Sequence, residues 1–172
     1  MSFDLALIER FGCQLYAFDP TPKSVKWVRA QSFPPQFHFA ELGLGGTSGE
    51  VSFRAPNNPD HVSYAASNAS GETILYLHDL RSIMEKLGHR RVDVLKMDIE
   101  GSEYGVIRSL PDQGCLPGQL MVEFHHGLYG YKTADTKETV DTLLAIGYRP
   151  YYVSSTGREI GFVRSDYAAR PD

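Results

Sequence analysis

The sequence predicts an α/β fold, a mostly parallel sheet closed by a C-terminal antiparallel hairpin. Three observations predict it. Short apolar runs alternate with amphipathic stretches of helical period. Several of the junctions carry an acidic residue followed by a helix-capping signal. Near the C-terminus, two β-like runs are joined by Ser154-Ser155-Thr156-Gly157.

Taken in order, Ser2 is positioned to cap a helix over 3–11, with Leu5, Ile8 and Phe11 on one face and Gly12 as its left-handed stop. The aromatic-rich run 14–18 reads as a buried strand that ends on Asp19-Pro20. Thr21 then caps a helix whose first residue, Pro22, loses nothing by lacking an N–H there. A strand is expected at 37–42, a glycine-dense loop at 43–49 and an edge strand at 50–53. The stretch 55–71 is rich in Pro, Asn and Ser with Tyr64 as its bulky aromatic, an irregular excursion of a length that suits a lid.

An extended run at 73–77 leads to Asp79, which caps a helix carrying Leu80, Ile83, Met84 and Leu87 at the spacing of one face, up to Gly88. The strand 92–97 runs into Asp98-Ile99-Glu100-Gly101. Ser102 then caps a helix through Val106, Ile107 and Leu110 that Pro111 is expected to stop. A strand at 120–124, a polar stretch and a helix at 134–146 follow, and the runs 148–153 and 159–164 form the hairpin. The 172 residues are read as one domain, without internal repeat or linker.

Composition narrows the classes of partner. With 42% hydrophobic residues and abundant Tyr and Phe, the chain is globular rather than disordered. A net charge of -4 provides no positive field for phosphates, so neither nucleic acid nor an anionic membrane is expected as a partner. No apolar run reaches the roughly 20 residues of a membrane helix. Cys13 and Cys115 have no metal-ligand or disulfide-framework spacing, and are expected as buried thiols in the cytoplasm.

In parallel sheets ligands gather at the carboxyl ends of the strands. That rule selects Asp19, the loop after Leu42, the Asp98/Glu100 pair, and Glu123 with His125 and His126. Asp19 suits either bidentate acceptance of ribose hydroxyls or capping of the helix at Thr21. Strand-like alternation would send Asp98 and Glu100 to one side, where a close carboxylate pair wants a cation, a hydroxyl or a proton; capping the next helix is the other reading. Adjacent histidines face opposite ways in a strand, so one of the His125/His126 pair points into a site as base or ligand, or both are structural. Asp98, Glu123 and His125 together form a conceivable metal set of no diagnostic spacing, and no metal is expected. Trp27, Tyr64 and Tyr131 offer aromatic faces that stack on a ligand or merely pack.

The segment Val94-Leu95-Lys96-Met97-Asp98-Ile99-Glu100-Gly101-Ser102-Glu103-Tyr104 resembles the signature of FkbM-type methyltransferases: a hydrophobic run, Lys, hydrophobic, Asp, hydrophobic, Glu, Gly, small, Glu, aromatic. Tyr16-Ala17-Phe18-Asp19-Pro20-Thr21-Pro22 is similar to the second-strand motif of the same family. The resemblance implies a Rossmann-like class I methyltransferase sheet, strand order 3-2-1-4-5-7-6, with S-adenosylmethionine across its carboxyl edge. It implies O-methylation of a small-molecule or glycan hydroxyl. Asp19 would bind the ribose, Leu42 and Gly43 would border the adenine, and Asp98 and Glu100 would lie near methyl donor and acceptor, with His125 or Asp98 as the base.

Such proteins place a strand and a glycine-rich turn before the first helix, whereas here Met1 and Ser2 stand at that point, so the first strand is expected to be missing. A start assigned too late would explain this. So would a truncated domain whose second and fourth strands pair directly, or which borrows a strand by forming a homodimer. A metal-dependent nucleotide-sugar glycosyltransferase is the enzymatic alternative, and a degenerate binding or assembly module the non-catalytic one.

Overall fold

The computed structural model describes residues 1–54, 65–66 and 73–167. The elements in chain order are α1 (Ser2–Phe11), β1 (Leu15–Phe18), α2 (Pro22–Arg29), β2 (Phe37–Ala40), β3 (Gly43–Leu44), β4 (Gly49–Arg54), β5 (Ala65–Ala66), β6 (Thr73–His78), α3 (Leu80–Leu87), β7 (Val94–Met97), α4 (Glu103–Gln113), β8 (Gln119–Glu123), α5 (Thr133–Ala145), β9 (Tyr148–Val153) and β10 (Glu159–Arg164). The expected alternation of strands and helices is thus present. Most of the 55–71 excursion, including Tyr64, lies outside the described residues.

The strands do not form one mostly parallel sheet. Among the described residues they form three: β1-β2, β7-β8-β10-β9 and β3-β6-β4-β5. Parallel pairing joins β1 to β2, β7 to β8 and β3 to β6, while the other pairs are antiparallel. The physical cause lies partly in the glycine-dense stretch expected as a loop. Gly43 and Leu44 instead pair with Leu77 and His78, so 43–54 and 73–78 build a sheet of their own. The second and fourth strands in the family scheme, β1 and β7, are not bonded to each other, so each keeps an unpaired edge among the described residues.

The main core lies between the β7-β8-β10-β9 sheet and helices α4 and α5. Along β8 burial alternates, and Leu120 and Val122 turn inward. The register sets Leu120 against Phe162 on β10 and Leu95 on β7. Tyr104, Ile107 and Leu110 of α4, Leu143 of α5, and Phe124 and Tyr148 complete the cluster. A smaller one joins Ile8 of α1, Val28 of α2 and Phe37 of β2. Of the apolar face expected on α1, only Ile8 is buried; Leu5 and Phe11 remain exposed.

The capping signals are realised unevenly. The Asp79 carboxylate accepts the Ser82 N–H at 2.8 Å, and Gly88 ends α3 at φ 70°. Ser2 lies within α1 rather than capping it, and Ser102 stands at the N-cap of α4 without a side-chain bond. Pro111 does not stop α4: the helix runs to Gln113 and Gly114 closes it at φ 64°. In the last turn a proline forfeits one hydrogen bond without displacing the turns before it, and Gly114 supplies the actual termination. Gly46 and Gly105 let the loop after β3 press on α4, since a Cβ on Gly46 would stand 2.6 Å from the Gly105 carbonyl oxygen.

Candidate active site

β7 and β8 run parallel, so Met97 and Val122 are partners and the residues that follow leave the sheet along the same edge. Asp98 follows β7, Glu123 ends β8, and His125 comes two residues later. Asp98 and Glu100 do not reach one side by strand alternation, because the backbone leaves the extended conformation after Ile99. Ser102 donates its N–H to the Ile99 carbonyl, Glu100 sits at φ 53° and Gly101 at φ 97°. That tight turn, and not a pleat, brings both carboxylates to one imidazole: Asp98 Oδ1 lies 3.6 Å and Glu100 Oε2 3.4 Å from His125 Nε2.

A left-handed conformation costs a residue with a Cβ about 1–3 kcal/mol, and such strain persists only where the surroundings enforce it. Glu100 and Tyr129 are the two non-glycine residues that adopt it among those described. They meet: the Tyr129 hydroxyl donates to Glu100 Oε2 at 2.5 Å. Burial, this hydrogen bond and the nearby carboxylates push the Tyr129 phenol well above its usual range, so it remains a donor.

Behind this group lies Glu103, which sequence reasoning treated only as a motif position. Its carboxylate is fully buried and accepts three hydrogen bonds, from Gly101 N–H at 2.9 Å, His125 N–H at 3.0 Å and His125 Nδ1 at 3.0 Å. It therefore fixes the ring, assigns the proton to Nδ1 and turns Nε2 toward Asp98 and Glu100. The hydrogen bond that His125 donates to Glu103 raises the His125 pKa, burial opposes it, and the charges of Glu103, Glu100 and Asp98 raise it further. The signal that could have found Glu103 is its place two residues after a glycine in a tight turn, where a carboxylate folds back on its own N-terminal backbone.

The two histidines diverge as expected. His125 is buried, and His126 turns its Nδ1 to the Thr136 hydroxyl at 3.1 Å, which also meets Tyr104. Glu123 approaches Asp98 and His125 closely enough that the three present potential ligand atoms within 4.8 Å of one another. Burial, and then the negative charge of Asp98, raise the Glu123 pKa. Glu123 also lines a cavity of about 270 Å³ walled by Met121, Tyr151 and Tyr152.

Asp19 stands apart from this cluster, with no hydrogen bond or ion pair to any of its members. Its Oδ1 accepts the N–H and hydroxyl of Thr21 at 2.8 and 2.6 Å, which turns the chain into α2. Its Oδ2 accepts no hydrogen bond among the described residues. Asp19 lines a second cavity of about 470 Å³, beside Trp27, Phe39 and Met1. Gly43 lies against the neighbouring Pro20, and a Cβ there would collide with Leu77 Cδ2 at 2.3 Å. Leu42 is half-buried next to it. Tyr131 stacks on Tyr104 at 4.0 Å and is a packing residue.

A mixed α/β domain with an acidic, imidazole-centred cluster at the carboxyl ends of adjacent parallel strands is the class these observations define. The chain belongs to the FkbM methyltransferase family, whose domain model matches residues 3–150. Among curated proteins it is similar to "Probable methyltransferase-like protein 24" of Homo sapiens, 29% identical over 131 residues, which is 75% of this chain and 31% of the relative. The protein of the same name from Rattus norvegicus is 28% identical over 131 residues, again 75% and 31%. The chain thus spans about a third of the length of these relatives. No solved structure matches it significantly.

Proposed function

We propose that this domain serves the transfer of a methyl group from S-adenosylmethionine to a hydroxyl of a small molecule or glycan, on a Rossmann-like class I methyltransferase scaffold in the cytoplasm. The observation that carries the reading is the convergence of Asp98 and Glu100, both within the segment that bears the family motif, on His125 at the carboxyl ends of β7 and β8. Family membership favours methyl transfer over the nucleotide-sugar alternative.

Two features fit an adenosine. Among the described residues Asp19 Oδ2 accepts no hydrogen bond, and it stands beside a cavity with an aromatic wall, which suits a ribose diol and a base. Gly43, with Leu42 before it in the chain, packs beside Pro20 of the Asp19-Pro20 turn, and a Cβ there would press on Pro20 and collide with Leu77 Cδ2. When bound, S-adenosylmethionine supplies an electrophilic methyl group whose bond to sulfur breaks, with its electron pair, as the acceptor oxygen attacks in line.

The chain's own residues manage the acceptor and its proton. The Asp98 side chain is 47% exposed and that of His125 only 6%, so Asp98 is the member that reaches an acceptor hydroxyl and takes its proton. His125 stands behind it, oriented by Glu103, and steadies the charge. Tyr151 and Tyr152 flank the cavity beside Glu123, where the body of the acceptor would lie.

Calorimetric titration of the protein with S-adenosylmethionine tests the reading. Saturable binding is expected, weakened about tenfold or more by Asp19→Ala, since a hydrogen bond to a charged group contributes about 1.5–3 kcal/mol. No heat of binding at millimolar cofactor, or an unchanged affinity in the variant, would overturn it.

A further inference from the structure

We propose that Asp98, Glu123 and His125 form a site for one divalent cation of the Mn²⁺ or Mg²⁺ class. The ligand atoms already lie within 4.8 Å of one another. An ion with bonds of about 2.1 Å holds its opposite ligands about 4.2 Å apart, and the exposed Asp98 side chain can close that difference by rotation.

The state of His125 is the independent observation. Its residue is 5% exposed, yet Nε2 makes no hydrogen bond among the described residues and faces two carboxylates, at 3.6 and 3.4 Å. A neutral ring would aim a lone pair at negative oxygens, so a positive charge belongs between them, either a proton on Nε2 or a cation. The far side of the ring is prepared for a metal: Nδ1 is held by the buried Glu103 at 3.0 Å, the carboxylate support that metal-bound histidines characteristically have.

Charge points the same way. Asp98, Glu100 and Glu103 meet the one imidazole and Glu123 joins through the shared ligand set, while no Lys or Arg among the described residues forms an ion pair with any of the four. A single proton on the ring leaves most of that charge uncompensated, whereas a dication neutralises two carboxylates and binds the imidazole in the proton's place. Two carboxylates with one imidazole are a hard donor set that suits Mn²⁺ or Mg²⁺ better than a thiol-seeking metal.

Resting on the methyl-transfer reading, the cation defines the acceptor more closely. With three protein ligands, an octahedral ion keeps three positions for water and substrate, so it favours an acceptor with two adjacent oxygens, such as a vicinal diol. With the ion bound, Asp98 would serve as its ligand rather than as the base, and Glu100, whose Oε1 accepts no hydrogen bond among the described residues, would take over the acceptor's proton.

The test is a Mn²⁺ titration of the protein followed by electron paramagnetic resonance, in which bound ion loses the sharp signal of free Mn²⁺. One Mn²⁺ per chain is expected, with a dissociation constant below about 1 mM and displacement by Mg²⁺. Asp98→Asn and Glu123→Gln, checked for folding by circular dichroism, should each weaken uptake about tenfold or more. Glu138→Gln on the exposed face of α5 should leave it unchanged. No uptake at millimolar Mn²⁺, or uptake indifferent to both site variants, overturns the proposal. Cofactor binding measured in the presence of a chelator separates the two readings. Mn²⁺ uptake without cofactor binding supports the cation site while sinking methyl transfer; methyl transfer in chelator, with no Mn²⁺ uptake, does the reverse.

Discussion

Replacing Glu103 should do more damage than any other single change in the site, because its carboxylate is the joint between the motif turn and the histidine. It is fully buried and accepts hydrogen bonds from Gly101 N–H, His125 N–H and His125 Nδ1. Glu103→Ala strands all three donors in a site closed to water. Unsatisfied buried groups cost about 1–3 kcal/mol each, and breaking a buried charge pair costs about 3–5 kcal/mol in all. These are overlapping accounts of one loss, so about 3–5 kcal/mol is expected. Glu103→Gln keeps one oxygen for the two His125 bonds but turns an NH2 toward the Gly101 N–H and removes the charge, which argues for about 1.5–3 kcal/mol. Urea denaturation of both variants, run with a chelator present, measures the two values. A loss below about 1 kcal/mol in Glu103→Ala would refute the reasoning, since it would mean that the three donors find other partners.

Other expectations are simpler. Asp79→Ala removes the cap of α3 and the hydrogen bond that the Ser48 hydroxyl donates to the Asp79 carboxylate, which ties α3 to the loop before β4, and should cost about 1 kcal/mol in the same assay. Burial raises the Asp79 pKa, but its hydrogen bonds from Ser48 and Ser82 outweigh that and hold it below the ordinary value. A depressed folded pKa stabilises above the unfolded value and loses that contribution as pH falls through the folded one. The stability difference between wild type and Asp79→Ala should therefore shrink only in acid, below the usual carboxylate range, and a difference that shrank on raising the pH would contradict it. Gly46→Ala places a methyl 2.6 Å from the Gly105 carbonyl, backbone against backbone, and should lower stability by about 1–3 kcal/mol; thermal melting unchanged from wild type would show that the loop gives way freely.

What the sequence by itself determined is local or follows from strand direction. Asp79 and Gly88 delimit α3 through bonds to backbone a few residues away, and the hairpin runs 148–153 and 159–164 coincide with β9 and β10. The gathering of Asp98, Glu123 and His125 was legible too, because residues at the carboxyl ends of adjacent parallel strands must emerge along one edge. Only the tertiary structure decided the rest. Whether Asp19 joins that edge depends on the strands between, and here β1 is bonded to β2 alone. Gly43 and Leu44 became a strand because a partner 34 residues away was within reach, which no local pattern encodes. Glu103 reads in the sequence as one more acidic helix start. It becomes the anchor of the site only because His125, 22 residues further on, brings its backbone N–H and Nδ1 to the same buried oxygen.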